Sequence, residues 1–351
     1  MRAFAVLMMI QGHTVDTFLA DEYRTMESVT YSVWHTLRGF TAPIFMFTAG
    51  LIFTYLLKAE DFDFTKNPRI KKGLKRALML IGIGYLLRYP TYRIFDFSYV
   101  GQAQWDIFFA VDALHLIGFG MLAIIAITFL SKRMHLSINF LTIIIIIFLL
   151  LVSPMVNKIE WNNFLPQYLS SYLTKSYGSL FPLFPWLVYV LAGGLLGNYL
   201  YKNDGIYSKK RFSFILSAIG ISFIFASFIL FRLEASVLDE MKYWFFSNGI
   251  IFLRVGYVIL LNGIMAFIVR KFNSIPEIIK ETGKKTLMLY VIHVVILYGS
   301  AWFPGFYKYL SRSFNPLETL SAVILMLSAM FAIVHFSGKI KQFKKRKIVL
   351  N

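Results

Sequence analysis

Ten long apolar stretches constrain what this 351-residue chain can fold into. A helix of about 20 apolar residues matches the thickness of the hydrocarbon core of a bilayer. The chain is 58% hydrophobic and only 15% charged, a composition outside the range of soluble domains. We therefore predict an all-α, polytopic integral membrane bundle of about ten transmembrane helices. The predicted spans are 1–20, 34–57, 73–90, 107–130, 137–154, 180–201, 212–232, 249–270, 285–303 and 317–337.

The net charge of +18 comes largely from basic residues in short connections between these spans. The basic segments are 58–76, 132–133, 202–211, 270–285 and 339–347. All of them fall on one side if ten spans are counted, and the opposite connections are poorer in Lys and Arg. The positive-inside rule then places both termini in the cytoplasm, in a cell-membrane protein, and argues against nucleic-acid binding. No repeat or soluble segment interrupts the pattern, so 1–351 is treated as a single domain.

Ionisable side chains inside the spans fall mostly near one set of helix ends. Such groups are unfavourable in hydrocarbon and are retained mainly at buried sites or water-filled paths. The set consists of His13, His35, Arg38, Arg88, Asp112, His115 and Arg254, with His293 nearer a helix centre. We interpret it as a reaction or binding centre in a polar cavity that opens away from the cytoplasm.

His13, in the motif QGHT, is the first candidate for a general base, because neutral imidazole can take a proton from a hydroxyl or amine near pH 7. Asp16 could fix its tautomer. His35 is the competing candidate, and Arg38 could stabilise an oxyanion. The alternatives are a histidine bonded at a helix end for His13, interfacial packing for His35, and an arginine reaching the lipid headgroups for Arg38.

Asp112 and His115 lie one helical turn apart in VDALHLIG, where the carboxylate can orient and charge-stabilise the imidazole. The alternative is a structural pair with an arginine. Tyr290 and His293 have the same spacing in the ninth span. Six basic residues are predicted to contact phosphates, with orientation in the membrane as the alternative. They are Lys71, Lys72, Lys75, Arg76, Lys284 and Lys285. The cluster Lys209–Arg211 is a further candidate for phosphate binding.

The sequence lacks the motifs that thiol, nucleotide-dependent and metal-dependent enzymes usually carry. The chain has no cysteine, no nucleotide-binding glycine motif, no HExxH sequence and no acidic cluster for a divalent metal. We therefore expect no metal cofactor, and phosphoryl transfer and redox reactions are disfavoured.

Five motifs together resemble the heparan-α-glucosaminide N-acetyltransferase-like family, within a broader group of transmembrane acyltransferases. In order, they are MRAFAVLMMIQGHT, RGFTAPIFMFTAGL, VDALHLIG, FPLFPWLVYVLAGGLLG and GKKTLMLYVIHVV. The resemblance covers most of the chain. Relatives have additional residues before the arginine that matches Arg2, so a shorter first span is expected here.

The resemblance implies an enzyme that uses cytoplasmic acyl-CoA to acylate a sugar or similar acceptor on the far side of the membrane. His13 matches the motif histidine of the wider group, and Arg38, Asp112 and His293 fall within matching motifs. The catalytic histidine of lysosomal relatives precedes the second span, with a spacing that differs from that of His35. His13 and His35 therefore both stay candidates for the base.

The leading hypothesis is transfer of an acyl group, in particular acetyl, from acyl-CoA to a hydroxyl or amine of a glycan or glycolipid. His13, His35, Arg38, Asp112 and His115 form the predicted catalytic set. His293, Tyr290, Arg254 and the six basic residues above are predicted to contact the CoA co-substrate. The expected partners are the bilayer, acyl-CoA, the acceptor and a second copy of the chain. The alternative is a proton-coupled transporter or lipid flippase that uses the same polar residues.

Overall fold

The computed structural model describes residues 1–59, 63–175, 178–237, 247–272 and 274–349, with side chains up to residue 338. Within these ranges the chain forms α-helices and no strand, which confirms the predicted all-α class. The helices are α1 Arg2–Phe18, α2 Val29–Arg38, α3 Thr41–Leu57, α4 Pro68–Leu87, α5 Gln102–Phe109, α6 Ala113–Met134, α7 Ile138–Lys158, α8 Gln167–Leu173, α9 Leu183–Lys202, α10 Lys210–Val237, α11 Asn248–Lys271, α12 Glu277–Lys284, α13 Thr286–Tyr298, α14 Tyr307–Leu310 and α15 Pro316–Val349.

Seven helical segments of the described chain are long and apolar enough to cross a membrane, which confirms a polytopic helical membrane protein. They are Val29–Leu57, Ala113–Met134, Ile138–Lys158, Leu183–Lys202, Lys210–Ser236, Asn248–Lys271 and Pro316–Gly338. The other three predicted spans contain α1, α4 and α13. Helices α1 and α13 have only 17 and 13 residues, and α4 begins with several basic side chains. The total of ten spans stays a prediction.

The fourth predicted span begins later than the sequence pattern indicated. Residues 107–130 were expected to be one span, but α5 ends at Phe109 and α6 begins at Ala113. The backbone carbonyl of Val111 instead accepts hydrogen bonds from the N–H groups of Leu180 and Phe181, at 3.0 and 3.2 Å. Asp112 consequently lies at the N-cap of α6 rather than one to two turns inside a helix.

One compact unit contains Met1–Phe45 and Lys271–Asn351. Helix α1 packs against α12, α13 and α15, and Ala5, Val6 and Ile10 of α1 are fully buried. The end of α1 is tied to the segment before α15, because the N–H of Phe314 donates to the carbonyl of Phe18 at 2.8 Å. These contacts fix the part of α1 that carries His13.

The other compact unit contains Met46–Arg270. Its helices α3 and α9 cross with their backbones in contact, because a Cβ atom on Gly193 would overlap the carbonyl oxygen of Phe47. A Cβ on Gly50 would likewise overlap the carbonyl oxygen of Val190. Small residues allow this close approach in membrane helices, where van der Waals packing has to replace the hydrophobic effect. The glycines of α9 therefore serve helix packing.

Candidate functional site

Two imidazoles from distant parts of the sequence meet in the first unit. Nδ1 of His13, on α1, lies 3.0 Å from Nε2 of His293, on α13. The two rings are stacked, with centroids 5.2 Å apart and an angle of 24° between their planes. His293 is fully buried, whereas His13 is half-buried. The predicted placement of His293 near a helix centre is confirmed, since α13 extends from Thr286 to Tyr298.

The hydrogen bonds of this pair define its tautomers. Nδ1 of His293 lies 2.7 Å from the carbonyl oxygen of Leu289, which can only accept, so this nitrogen carries the proton. In neutral His293 the Nε2 atom then accepts, and the Nδ1–H of His13 is the donor. Nε2 of His13 is left with its lone pair. The pair therefore presents one basic nitrogen on its half-buried member.

Two tyrosines contact these imidazoles edge-on. The ring of Tyr298 lies 5.6 Å from that of His13, and the ring of Tyr290 lies 5.7 Å from that of His293. Tyr290 also stacks on Phe45, with centroids 6.3 Å apart. Sequence reasoning identified Tyr290 from its spacing to His293 but missed Tyr298, whose only local signal was its position at the end of an apolar run.

Arg38 lies beside the same stretch of α1 through an ion pair that the sequence did not indicate. Its guanidinium contacts the carboxylate of Asp16, which is also 4.0 Å from Arg24. A Cβ on Gly12 would lie 3.5 Å from Cγ of Arg38, so the glycine leaves room for the arginine stem next to His13. Asp16 was expected to fix the tautomer of His13, but His293 has that role and Asp16 holds Arg38.

Among the described side chains, no hydrogen bond or ring contact joins His35 to the imidazole pair. His35 is on an exposed face of α2, and its ring packs on Tyr31 with centroids 5.8 Å apart. Neither nitrogen of the His35 ring forms a hydrogen bond with another described residue. A base needs its tautomer held by a partner, and His13 has one whereas His35 does not.

A second polar cluster lies within the other unit, at the start of α6. Oδ1 of Asp112 accepts from the backbone N–H of Leu114 at 2.9 Å and of His115 at 3.2 Å, which caps the helix. The same oxygen is 2.9 Å from Nδ1 of His115, and Oδ2 is 3.7 Å from Nε of Arg88. The expected Asp112–His115 pair is present, and so is the arginine partner of the structural alternative.

The imidazole of His115 is completely enclosed by the protein. It is 0% exposed, and the ring of Tyr85 contacts it edge-on with centroids 4.4 Å apart. A Cβ on Gly84 would lie 2.6 Å from the imidazole, so α4 can approach only because that residue is glycine. Tyr85 also shares a hydrogen bond of 2.7 Å with Tyr172. Nε2 of His115 is buried without a hydrogen-bond partner among the described residues.

Replacing Asp112 tests how much of this cluster is structural. Asp112→Ala is expected to lower the free energy of unfolding by about 2 kcal/mol, because it removes the N-cap and leaves buried partners unsatisfied. Asp112→Asn is expected to have a smaller effect, because asparagine caps a helix equally well. Thermal unfolding of both variants in detergent measures the difference. Equal losses would show that the cap contributes little.

The remaining predicted contacts with a cofactor differ in their surroundings. Arg254 packs its guanidinium 5.3 Å from the ring centroid of Trp186. Lys284 is 2.8 Å and Lys285 is 3.3 Å from the carboxylate of Glu281, and their hydrogen bonds lower the pKa of that carboxyl. Four exposed basic side chains on the first turns of α4 pair with no described carboxylate. They are Lys71, Lys72, Lys75 and Arg76.

Among the residues with described coordinates, no group of three or more His, Cys, Asp or Glu side chains is arranged to hold a metal ion.

The fold defines a polytopic helical membrane protein that carries a hydrogen-bonded pair of imidazoles. Residues 1–221 match the family model described as Heparan-alpha-glucosaminide N-acetyltransferase, catalytic. Since the match covers more than half of the 351 residues, the chain belongs to this family. It is thus a membrane acetyltransferase, which confirms the resemblance drawn from the five motifs. No curated protein matches the chain, and no solved structure does.

The region matched by the family model contains only part of the candidate site. His13, Arg38, Asp112 and His115 lie inside residues 1–221, whereas Arg254, Tyr290 and His293 lie beyond them. The partner of His13 therefore comes from a part of the chain that the family model does not cover. The match does not favour the transporter or flippase alternative.

Proposed function

We propose that this protein transfers an acetyl group from cytoplasmic acetyl-CoA to a hydroxyl or amine of a glycan or glycolipid on the extracytoplasmic side, with His13 as the general base. The observation that carries the proposal is the hydrogen-bonded chain from His13 through His293 to the carbonyl of Leu289. This chain leaves Nε2 of His13 as the free basic nitrogen. Positioned imidazoles of this kind accelerate proton transfers without a metal or a thiol.

The reaction follows from these groups. Nε2 of His13 removes the proton from the acceptor O–H or N–H as the acceptor atom attacks the thioester carbon. The guanidinium of Arg38 stabilises the oxyanion that forms, since it stays charged when partly buried. The C–S bond then breaks, and the departing CoA thiolate takes the proton from Nε2 of His13. Aligning acceptor and donor supplies a further part of the acceleration.

His13 is preferred to His35 for this role on geometric grounds. The backbone carbonyl of Leu289 and the ring of His293 hold His13 in one tautomer, and His293 can share the positive charge that develops. His35 is exposed on α2, where its ring packs on Tyr31. Arg38 lies across Gly12, the residue next to His13, which supports its role at the oxyanion.

The basic start of α4 is the better candidate for the CoA phosphates. Lys71, Lys72, Lys75 and Arg76 are exposed, whereas Lys284 and Lys285 are already bonded to Glu281. A lysine that already forms an ion pair binds a phosphate less strongly, because that ion pair has to be broken first. Tyr290, which contacts the ring of His293, and Arg254 are proposed to contact the donor as well.

Purified protein incubated with radiolabelled acetyl-CoA and a panel of amino sugars and glycolipids tests the activity. We expect label to appear on at least one acceptor, with release of one CoA per acetyl group transferred. Counterflow of a substrate in liposomes that does not depend on CoA, without any label transfer, would contradict the proposal.

The orientation of the protein in the membrane is tested by labelling single introduced cysteines. Because the sequence contains no native cysteine, only the introduced residue reacts. Met26 follows the first span and is 57% exposed, and Tyr207 lies in a basic connection and is 55% exposed. In the proposed orientation a membrane-impermeant maleimide labels Met26→Cys in intact cells. It labels Tyr207→Cys only after the membrane has been opened. The reverse pattern would invert the topology and move the acceptor to the cytoplasm.

A further inference from the structure

A large apolar groove lies within the second unit. It has a volume of about 860 Å³ and is bounded mainly by α7, α9, α10 and α11. Apart from the residues at one end, the lining is aliphatic or aromatic. Representative members are Ile143, Ile147, Leu195, Ile215, Ile219 and Val255. Neither the acid–base pair nor the Asp112 cluster contributes a side chain to it.

The groove opens sideways, between α7 and α10. Ile147 of α7 is 50% exposed, and Ile215 and Ile219 of α10 are 43% and 41% exposed. Both helices are among the candidate membrane spans, and only 22% and 17% of their most apolar windows are buried inside the protein. In a bilayer, an opening between such helices faces lipid chains rather than water.

The end of the groove nearest the start of α10 is basic. Lys209 immediately precedes α10 and Arg211 is its second residue, and both line the groove and are exposed. The helix dipole at the start of α10 adds positive potential to that of the two side chains. This end therefore favours a negatively charged group, whereas the rest of the groove favours hydrocarbon.

The length of the groove suits a lipid chain. Its lining extends on α10 from Arg211 to Phe223, and twelve residues at 1.5 Å each give about 18 Å. At the deep end, Phe223 stacks on Phe252 with ring centroids 5.2 Å apart. The groove length of about 18 Å is close to half the thickness of a bilayer's hydrocarbon core, which is about 30 Å. A chain anchored at the basic end would thus stay within its own leaflet.

We propose that this groove binds an anionic phospholipid of the surrounding bilayer. One acyl chain lies between α7 and α10, and the phosphate contacts Lys209 and Arg211. The charge at one end and the sideways opening distinguish this occupant from a neutral lipid and from a water-soluble ligand. The site is independent of the proposed acetyl transfer, because neither the residues proposed for catalysis nor the basic start of α4 proposed for the CoA phosphates line it.

Native mass spectrometry of the purified, delipidated protein tests the site. The probes are phosphatidylglycerol and phosphatidylcholine with identical palmitoyl chains. Wild-type protein is expected to bind one phosphatidylglycerol in preference to phosphatidylcholine. The double variant Lys209→Glu/Arg211→Glu should lose at least about 30-fold in affinity for phosphatidylglycerol. Removing each basic residue near an anionic lipid costs about fivefold, and the two new carboxylates also repel the phosphate. Arg69→Glu/Arg133→Glu changes the charge equally, outside the groove, and should retain the preference.

Filling the groove provides a second variant. Ala192 lines it from α9, and Ala192→Phe is expected to weaken binding of both lipids without altering their ratio. Three results would overturn the proposal. They are equal binding of the two lipids by wild-type protein, equal losses in the two charge variants, and displacement of bound phosphatidylglycerol by equimolar palmitoyl-CoA.

Discussion

Replacing His13 with alanine is expected to lower the rate of acetyl transfer by about 10²- to 10⁴-fold, the usual contribution of a positioned general base. The reason is that Nε2 of His13 is the only nitrogen of the described imidazole pair left with a free lone pair. The hydrogen bond to His293, at 3.0 Å, holds that tautomer. Initial rates with radiolabelled acetyl-CoA at saturating acceptor measure the loss.

His35→Ala is the matched control, because it removes an imidazole from the neighbouring helix and leaves the pair intact. Its rate is expected to stay within about threefold of wild type, well short of the loss on removing a general base. If His35→Ala abolished transfer and His13→Ala did not, the roles would be exchanged. A similar fall in both variants would indicate that neither acts alone as the base.

His293→Gln tests whether His293 positions the imidazole of His13. It is expected to lower kcat, with little change in the KM for acetyl-CoA, and to shift the pH dependence of kcat, because the tautomer of His13 is no longer held by an imidazole. A merely structural role of His293 would reduce the amount of folded enzyme without altering that pH profile.

The largest expected effect on stability is at the crossing of α3 and α9. Gly193→Ala should lower the free energy of unfolding by about 3 kcal/mol, since the new methyl group would overlap the backbone carbonyl of Phe47 and force the helices apart. The midpoint of thermal unfolding in detergent, together with the monodisperse fraction, measures this loss.

Gly82→Ala, the same substitution at an open position, is the control. A Cβ on Gly82 meets no atom within 4 Å, and alanine favours helix by up to about 1 kcal/mol. The two variants should therefore shift the unfolding midpoint in opposite directions. If Gly193→Ala were as stable as wild type, the backbones of α3 and α9 would not be in contact.

The helices themselves were largely predictable. Each predicted span contains a helix, because a continuous apolar run of about 20 residues has few alternatives in a bilayer. The boundaries were less predictable, and α6 shows why. The apolar run continues through residues 107–111, but Asp112 caps the helix that follows, and Val111 bonds to the segment before α9. Capping and loop contacts do not alter the hydropathy on which the prediction rested.

The candidate site residues came from the sequence, whereas their contacts did not. His13, Arg38, Asp112, His115 and His293 were all chosen from the rarity of polar groups in apolar segments, and their roles stay predictions. The bond between His13 and His293 joins residues 280 positions apart and has no local signature. The Asp16–Arg38 pair likewise depends on how α2 lies against α1, so Asp16 was given a different partner.

The chain by itself determined that it would be helical and embedded in a membrane, because hydropathy is a property of consecutive residues. It also supplied the motifs of its acetyltransferase family. Only the tertiary structure decided which polar groups meet, since hydrogen bonds require distances of about 3 Å that depend on helix packing. The free nitrogen of His13 is the consequence of one such meeting, and no stretch of sequence around it could have shown it.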